Sequence, residues 1–245
     1  MSVTQYSALP KLLPRIYWLA ETSTSQLAEV YRLEPDPNPV ALFDNTCFVD
    51  QREQGPKLFS LSADGQMVAA LLAQPEAFKG LLLITPHPVE QLIQQLQGML
   101  SVTFSHNRKA LLRFYDPLVA SYLFSALNVH QLPRWLGPIQ ELFWYGGTWS
   151  DIASQGNAWL GLSQTETQAS WPDQPELILT DAQERALARQ SMEKFAYDWL
   201  VRHPGDSFDE LLTRIQHGIA SGQDEEASLT AWLQQTASQS KGTQG

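Results

Sequence analysis

Between residues 110 and 145 the hydrophobic pattern changes character three times, and each change falls on a dipeptide with few backbone options. Leu111, Leu112, Phe114 and Tyr115 make a short apolar and aromatic run, the kind that suits a strand buried on both faces. Asp116-Pro117 ends it. Asp accepts a bond from an otherwise unpaired N–H in the first turn of a helix, and Pro at the first helical position gives up no hydrogen bond. A helix is therefore expected from Pro117, with Leu118, Val119, Tyr122, Leu123, Ala126 and Leu127 on one face and Asn128 as its stop. Gly137-Pro138 turns the chain into a second strand over 139–145, which Gly146-Gly147 closes.

The first half of the chain repeats that alternation. Strands are expected at 16–20, 40–43, 58–61 and 81–84, the last continuously apolar and so buried on both faces, with a further extended piece at 47–49. Thr24 or Ser25 caps a helix that Glu34-Pro35 stops, and 66–72 suits another. Over 88–100, Val89, Leu92, Ile93, Leu96 and Leu100 form one stripe, while Gln91, Gln94, Gln95 and Gln97 read as an outward polar face. Residues 1–14 read as a polar arm with at most one helical turn.

After Gly147 the texture changes. Residues 148–176 mix Ser, Gln, Thr, Gly and Pro with the isolated Trp149, Trp159 and Trp171, and show no sustained period. They read as a long connection whose tryptophans pin it to the lobe it crosses. From Thr180 the pattern is helical. Thr180 and Gln183 have capping-box spacing, Ser207 and Glu210 repeat it, and a third helix includes Leu229, Trp232 and Leu233. The expected class is α/β: a mixed β-sheet with flanking helices over 1–147, a connecting segment over 148–179, a small all-helical lobe over 180–237 and a disordered tail over 238–245.

Charge and composition narrow the functions. A net charge of −10 argues against a nucleic-acid backbone as the main ligand, because such binding draws its affinity from Lys and Arg on phosphates. The acid is concentrated in 181–229, with ten acidic residues against five basic. Cys47 is the one cysteine, so it makes no internal disulfide or metal cluster; it reads as a small buried hydrophobe in a reducing compartment. The start lacks a basic and apolar leader, and the longest strongly apolar run, 80–84, is far short of a span, so a cytoplasmic protein without stable membrane insertion is expected.

Catalytic signatures are missing: no Gly-rich phosphate loop, His-Glu-x-x-His, Cys-x-x-Cys or Gly-x-Ser-x-Gly. The five histidines are dispersed, and His87, between Pro86 and Pro88, reads as a turn residue rather than a general base. No catalytic residue, cofactor or metal is expected.

Leu112-Arg113-Phe114-Tyr115-Asp116-Pro117, followed by Leu136-Gly137-Pro138-Ile139, resembles the signature of the bacterial domain family that serves as adaptors, or chaperones, for type VI secretion effectors. Residues 16–21 resemble that family's opening strand, and Gly55-Pro56-Lys57-Leu58 its Gly-Pro-x-Leu segment. Leu118 departs from the pattern where an Arg often follows Asp-Pro, as does Gln95-Leu96-Gln97 where His-Leu-Arg is common. The resemblance implies a non-catalytic adaptor whose partners are a secreted effector (a toxin) and the spike tip protein. Two other readings stand beside it: a hydrolase with an unrecognised site using scattered acids and His87, and an immunity protein that blocks a toxin.

Candidate partner-binding residues follow. Arg113, inside an apolar strand, requires a paired carboxylate, with Glu141 and Asp116 as internal candidates, or else emerges at a cleft. Arg134 and Trp135 lie on a polar connection and are residue types enriched at hot spots, so recognition and core anchoring both fit them. Phe195, Trp199, Leu212 and Ile215 are expected to divide between the core of the helical lobe and the wall of a cleft between lobes. That lobe is expected to be separable, with truncation after Gln174 leaving a soluble α/β lobe.

Overall fold

Successive side chains on a strand point to opposite faces of its sheet, and here both sets are apolar, so both faces must be covered. The structure, a computed structural model, describes residues 3–9, 15–167, 176–223 and 225–241. The elements begin with β1 (Thr4–Tyr6), β2 (Arg15–Ala20), α1 (Thr24–Leu33), β3 (Val40–Ala41), β4 (Lys57–Ser62), α2 (Gln66–Ala73), β5 (Leu81–Ile84) and α3 (Val89–Met99). They continue with β6 (Ser101–Phe104), β7 (Arg108–Leu111), α4 (Pro117–Ser125), α5 (Leu132–Leu136), β8 (Glu141–Gly146), α6 (Trp149–Ala153) and β9 (Ala158–Ser163). The last are β10 (Leu177–Ile178), α7 (Asp181–Arg202), α8 (Phe208–Ala220) and α9 (Glu226–Lys241).

Seven strands form one sheet in the order β1-β9-β8-β5-β2-β4-β3, antiparallel at every pairing. A second, small sheet, β10-β6-β7, is mixed, with β10 parallel to β6. The register places Tyr17 opposite Leu83 and Trp18 opposite Leu82. Tyr17, Leu19, Leu58, Leu83, Leu142 and Trp144 then face α3, α4 and α5, where Leu92, Leu96, Leu123, Phe124 and Trp135 complete the larger core. Ile16, Trp18, Phe59, Leu82, Ile84 and Phe143 face the other way, against Val30 of α1 and Met67, Val68 and Leu71 of α2. The chain is thus an α/β lobe with helices on both faces, followed by a bundle of α7, α8 and α9 around Ala196, Trp199, Leu211, Ile215, Leu229 and Leu233.

Several elements differ from the sequence reading. The strand expected over 111–115 ends at Leu111, because Asp116 N–H bonds back to Arg113 O at 3.0 Å and folds 113–116 into a turn. The expected connection over 148–176 contains α6 and β9, and β9 pairs along its whole length with β8. Trp159 packs its ring edge-on to Tyr145, whereas Trp171 lies outside the described residues. The N-terminal arm supplies β1, which pairs with β9. Residues 47–49 are not a strand, Val49 opens a short 3-10 turn, and Cys47 is exposed rather than buried. Ser23, not Thr24 or Ser25, caps α1. The helix α9 continues to Lys241, past the expected end of order at 238, and 242–245 lie outside the described residues.

The polar face of α3 is partly an inward one. Gln95 is buried and its Nε2 donates to Trp135 O at 2.9 Å and Arg134 O at 3.1 Å, while Gln97 Nε2 donates to Asp44 O at 2.7 Å. Glutamine amides here satisfy loop carbonyls that would otherwise be buried unpaired. Gly137, with φ of +51°, has its missing Cβ position 2.4 Å from Gln95 Oε1, which explains why the turn before β8 needs glycine.

Candidate functional site

The turn at 113–116 and the glycine pair at the end of β8 meet at one cleft, of about 660 Å³. Asp116 caps α4 as expected, its Oδ1 accepting from Leu118 N–H at 2.9 Å, and Pro117 takes the first helical position. Arg113 does not pair with Glu141 or Asp116. Its Nη2 donates to Glu21 Oε2 at 2.6 Å, and Glu21 directly follows β2, so the ion pair ties the turn before α4 to the end of a central strand. The guanidinium is 52% exposed, which removes the premise of a charge buried within a strand. Burial works against the Arg113 charge, but the Glu21 carboxylate outweighs it and holds the guanidinium above its usual range. Tyr115 is 2% exposed, and burial, then the Glu21 charge, push its hydroxyl up to about 12.

Opposite this rim stand Gln26 of α1 and the turn after α2, which carries Pro75, Glu76 and Lys79. Gln26 Nε2 donates to Ala77 O at 3.0 Å and fastens that turn to α1. The base is Tyr145, Gly146 and Gly147. Gly146 has φ of +151°, and a Cβ on Gly147 would sit 2.5 Å from Asp151 Cβ, so the chain can pass beneath α4 and start α6 at once. Thr148 and Asp151 then form a capping box.

Trp149 and Ile152 of α6, with Asn157 beyond it, close the far side. Trp149 also joins the cleft to the helical bundle. Its backbone N–H donates to Tyr122 Oη at 2.9 Å, and its ring lies 5.0 Å from that of Tyr197 on α7. Tyr122 in turn donates to Glu193, a carboxylate of α7 only 4% exposed that is also paired with Arg189 at 3.0 Å. Burial, and next the bond to Glu193, push the Tyr122 hydroxyl upward. One buried network therefore spans α4, α6 and α7.

Of the residues singled out in the sequence, Asp116 lines the cleft, and Arg113 stands behind it through Glu21. Trp135 is 2% exposed and packs edge-on to Phe124, so it anchors the core. Arg134 is exposed on α5, which replaces the expected polar connection, and donates to Glu176 O. Trp199 and Ile215 are buried, with Phe195 and Leu212 packed against them inside the helical bundle, and none of the four lines the cleft. Sequence reasoning missed Glu21, Tyr115 and Asn157 as cleft residues, and read Trp149 as a residue that pins its segment to the lobe. The Thr148-x-x-Asp151 spacing was the available signal for α6.

His87 Nε2 is bonded to Thr167 Oγ1 at 2.8 Å, a contact between distant stretches of chain, and its backbone N–H donates to Thr85 Oγ1 at 3.1 Å within the turn. Among the described residues no group of three or more His, Cys, Asp and Glu could hold a metal ion, and no helix is long and apolar enough to cross a membrane.

The fold and site therefore define a two-part protein, an α/β lobe with a cleft at its strand ends and a helical bundle joined to it through Trp149 and Tyr122. Residues 16–134 match the family described as Domain of unknown function (DUF4123), a domain family linked to bacterial type VI secretion effector adaptor proteins. The matched stretch runs from β2 through α5 and contains both the Asp116 rim and its Glu21 tie. No curated protein and no solved structure matches the chain.

Proposed function

We propose that this protein is a non-catalytic cytoplasmic adaptor that binds a cognate toxin effector and assists its loading onto the type VI secretion spike. The observation that carries the reading is that the family-matched segment folds into the rim of the cleft: the turn that caps α4 is tied by Arg113 to Glu21, both within 16–134. A pocket of this size, walled by Pro117, Tyr145, Trp149 and Ile152, suits a short protein segment.

The test is genetic. Deleting the protein abolishes secretion or accumulation of one effector while the machine continues to export others. Loss of all secretion would refute a specific adaptor. Neutralisation of a toxin in the absence of any secretion defect would replace the adaptor with an immunity protein, and substrate turnover lost on His87→Ala would replace it with a hydrolase.

A further inference from the structure

We propose that the cleft takes an extended segment of the effector that presents a lysine or arginine between apolar residues; this rests on the adaptor reading above. The charges of the cleft point to that occupant. Arg113 neutralises Glu21, which leaves the carboxylates of Glu76 and Asp116 against the single cation Lys79, on a chain of net charge −10. Glu76 is exposed and makes no ion pair among the described residues. The helix starts of α4 and α6 at the cleft already carry the Asp116 and Asp151 carboxylates, so Lys79 alone among the lining residues is left to attract an anionic side chain, against two carboxylates for a cation.

The walls fit the apolar part. Pro75, Pro117, Tyr145 and Ile152 supply apolar surface for the stems, while the Trp149 ring, which packs on Tyr197 and already carries Lys194 Nζ at 5.4 Å, adds its edge to that wall.

Main-chain recognition has its own signal. Trp149 Nε1, a donor only, and Asn157 Oδ1, an acceptor only, are buried without a hydrogen-bond partner among the described residues. A peptide unit offers one C=O and one N–H, so turning these side chains toward a bound segment relieves a donor and an acceptor together.

The experiment uses the full-length protein and two labelled hexapeptides, Ala-Leu-Lys-Leu-Trp-Ala and the same peptide with Glu in place of Lys, in fluorescence polarisation at low and high salt. The lysine peptide binds about five- to tenfold more tightly than the glutamate peptide, as expected when one partly exposed attraction becomes a repulsion, and the difference shrinks with salt. Glu76→Lys erases or inverts the preference, and Lys79→Glu widens it. Both positions are exposed, so neither variant endangers the fold. Preference for the glutamate peptide, weakening by Lys79→Glu with Glu76→Lys unaffected, or binding of neither peptide would each overturn the proposal. Those failures leave the adaptor reading standing, since that reading is judged separately by the secretion phenotype of the deletion.

Discussion

Replacing Tyr122 by Phe removes one oxygen from the network that joins the α/β lobe to the helical bundle. The hydroxyl donates to Glu193 and accepts from the Trp149 backbone N–H at 2.9 Å, so its loss strips a buried carboxylate of a donor and leaves a half-buried N–H without an acceptor. A hydrogen bond to a charged group contributes about 1.5–3 kcal/mol and a neutral one about 1 kcal/mol. Glu193 keeps Arg189, which is 53% exposed and partly screened, so the total cost should be about 2–4 kcal/mol. Urea denaturation followed by tryptophan fluorescence measures it, with an unchanged denaturant slope as the check that only stability moved. A double-mutant cycle with Glu193→Gln should give a coupling of about 1–2 kcal/mol. A loss below about 0.5 kcal/mol, or strict additivity of the two substitutions, would refute the claim that this network holds the two parts together.

Asp116→Ala should cost about 1 kcal/mol for the lost cap, whereas Arg113→Met should cost no more than about 1 kcal/mol, because the Glu21 pair is half exposed; both are read from the same denaturation curves. Gly137→Ala should lose about 2 kcal/mol or more in thermal or urea unfolding, since it forces a side chain into positive φ and against the clamped Gln95. Glu184 is held below its ordinary 4.5 by the Ser105 hydroxyl and then its backbone N–H. A depressed folded pKa stabilises above the ordinary value and stops doing so as pH falls through the depressed one, so wild type should lose more stability below about pH 4.5 than Glu184→Gln does. Truncation after Gln174 should yield insoluble or molten protein in expression and near-ultraviolet circular dichroism trials, because Leu177 and Leu179 belong to the larger core and Glu193 would no longer satisfy Tyr122.

The α/β class, the position of β5, the helices α2 and α4, and the Thr180 cap were legible because each depends on neighbours in sequence. Asp116-Pro117 starts a helix wherever it stands ahead of an apolar face, and Leu81–Ile84 is too apolar for any exposed position. The element β9 was not legible, because its sequence Ala-Trp-Leu-Gly-Leu-Ser carries Gly161, which weakens a strand in isolation. That glycine sits across from Phe143, where a Cβ would lie 2.5 Å from the ring, so the residue that hides the strand is the one its pairing requires. The same holds for Gln95 and Gln97, polar by pattern yet turned inward to meet carbonyls of distant loops.

The sequence by itself determined the starts of α4, α7 and α8, the double burial of β5 and the absence of the familiar catalytic motifs from the chain, since these follow from local sterics and period. Only the tertiary structure decided the partner of Arg113, the burial of Trp135 and the course of the segment after Gly147. A charge's partner is set by which chain ends meet in space, and Glu21 and Arg113 lie ninety-two residues apart. The cleft is likewise a property of the assembled sheet: its walls come from four separate stretches of chain, 21–26, 75–79, 115–118 and 145–157, that no period in the sequence connects.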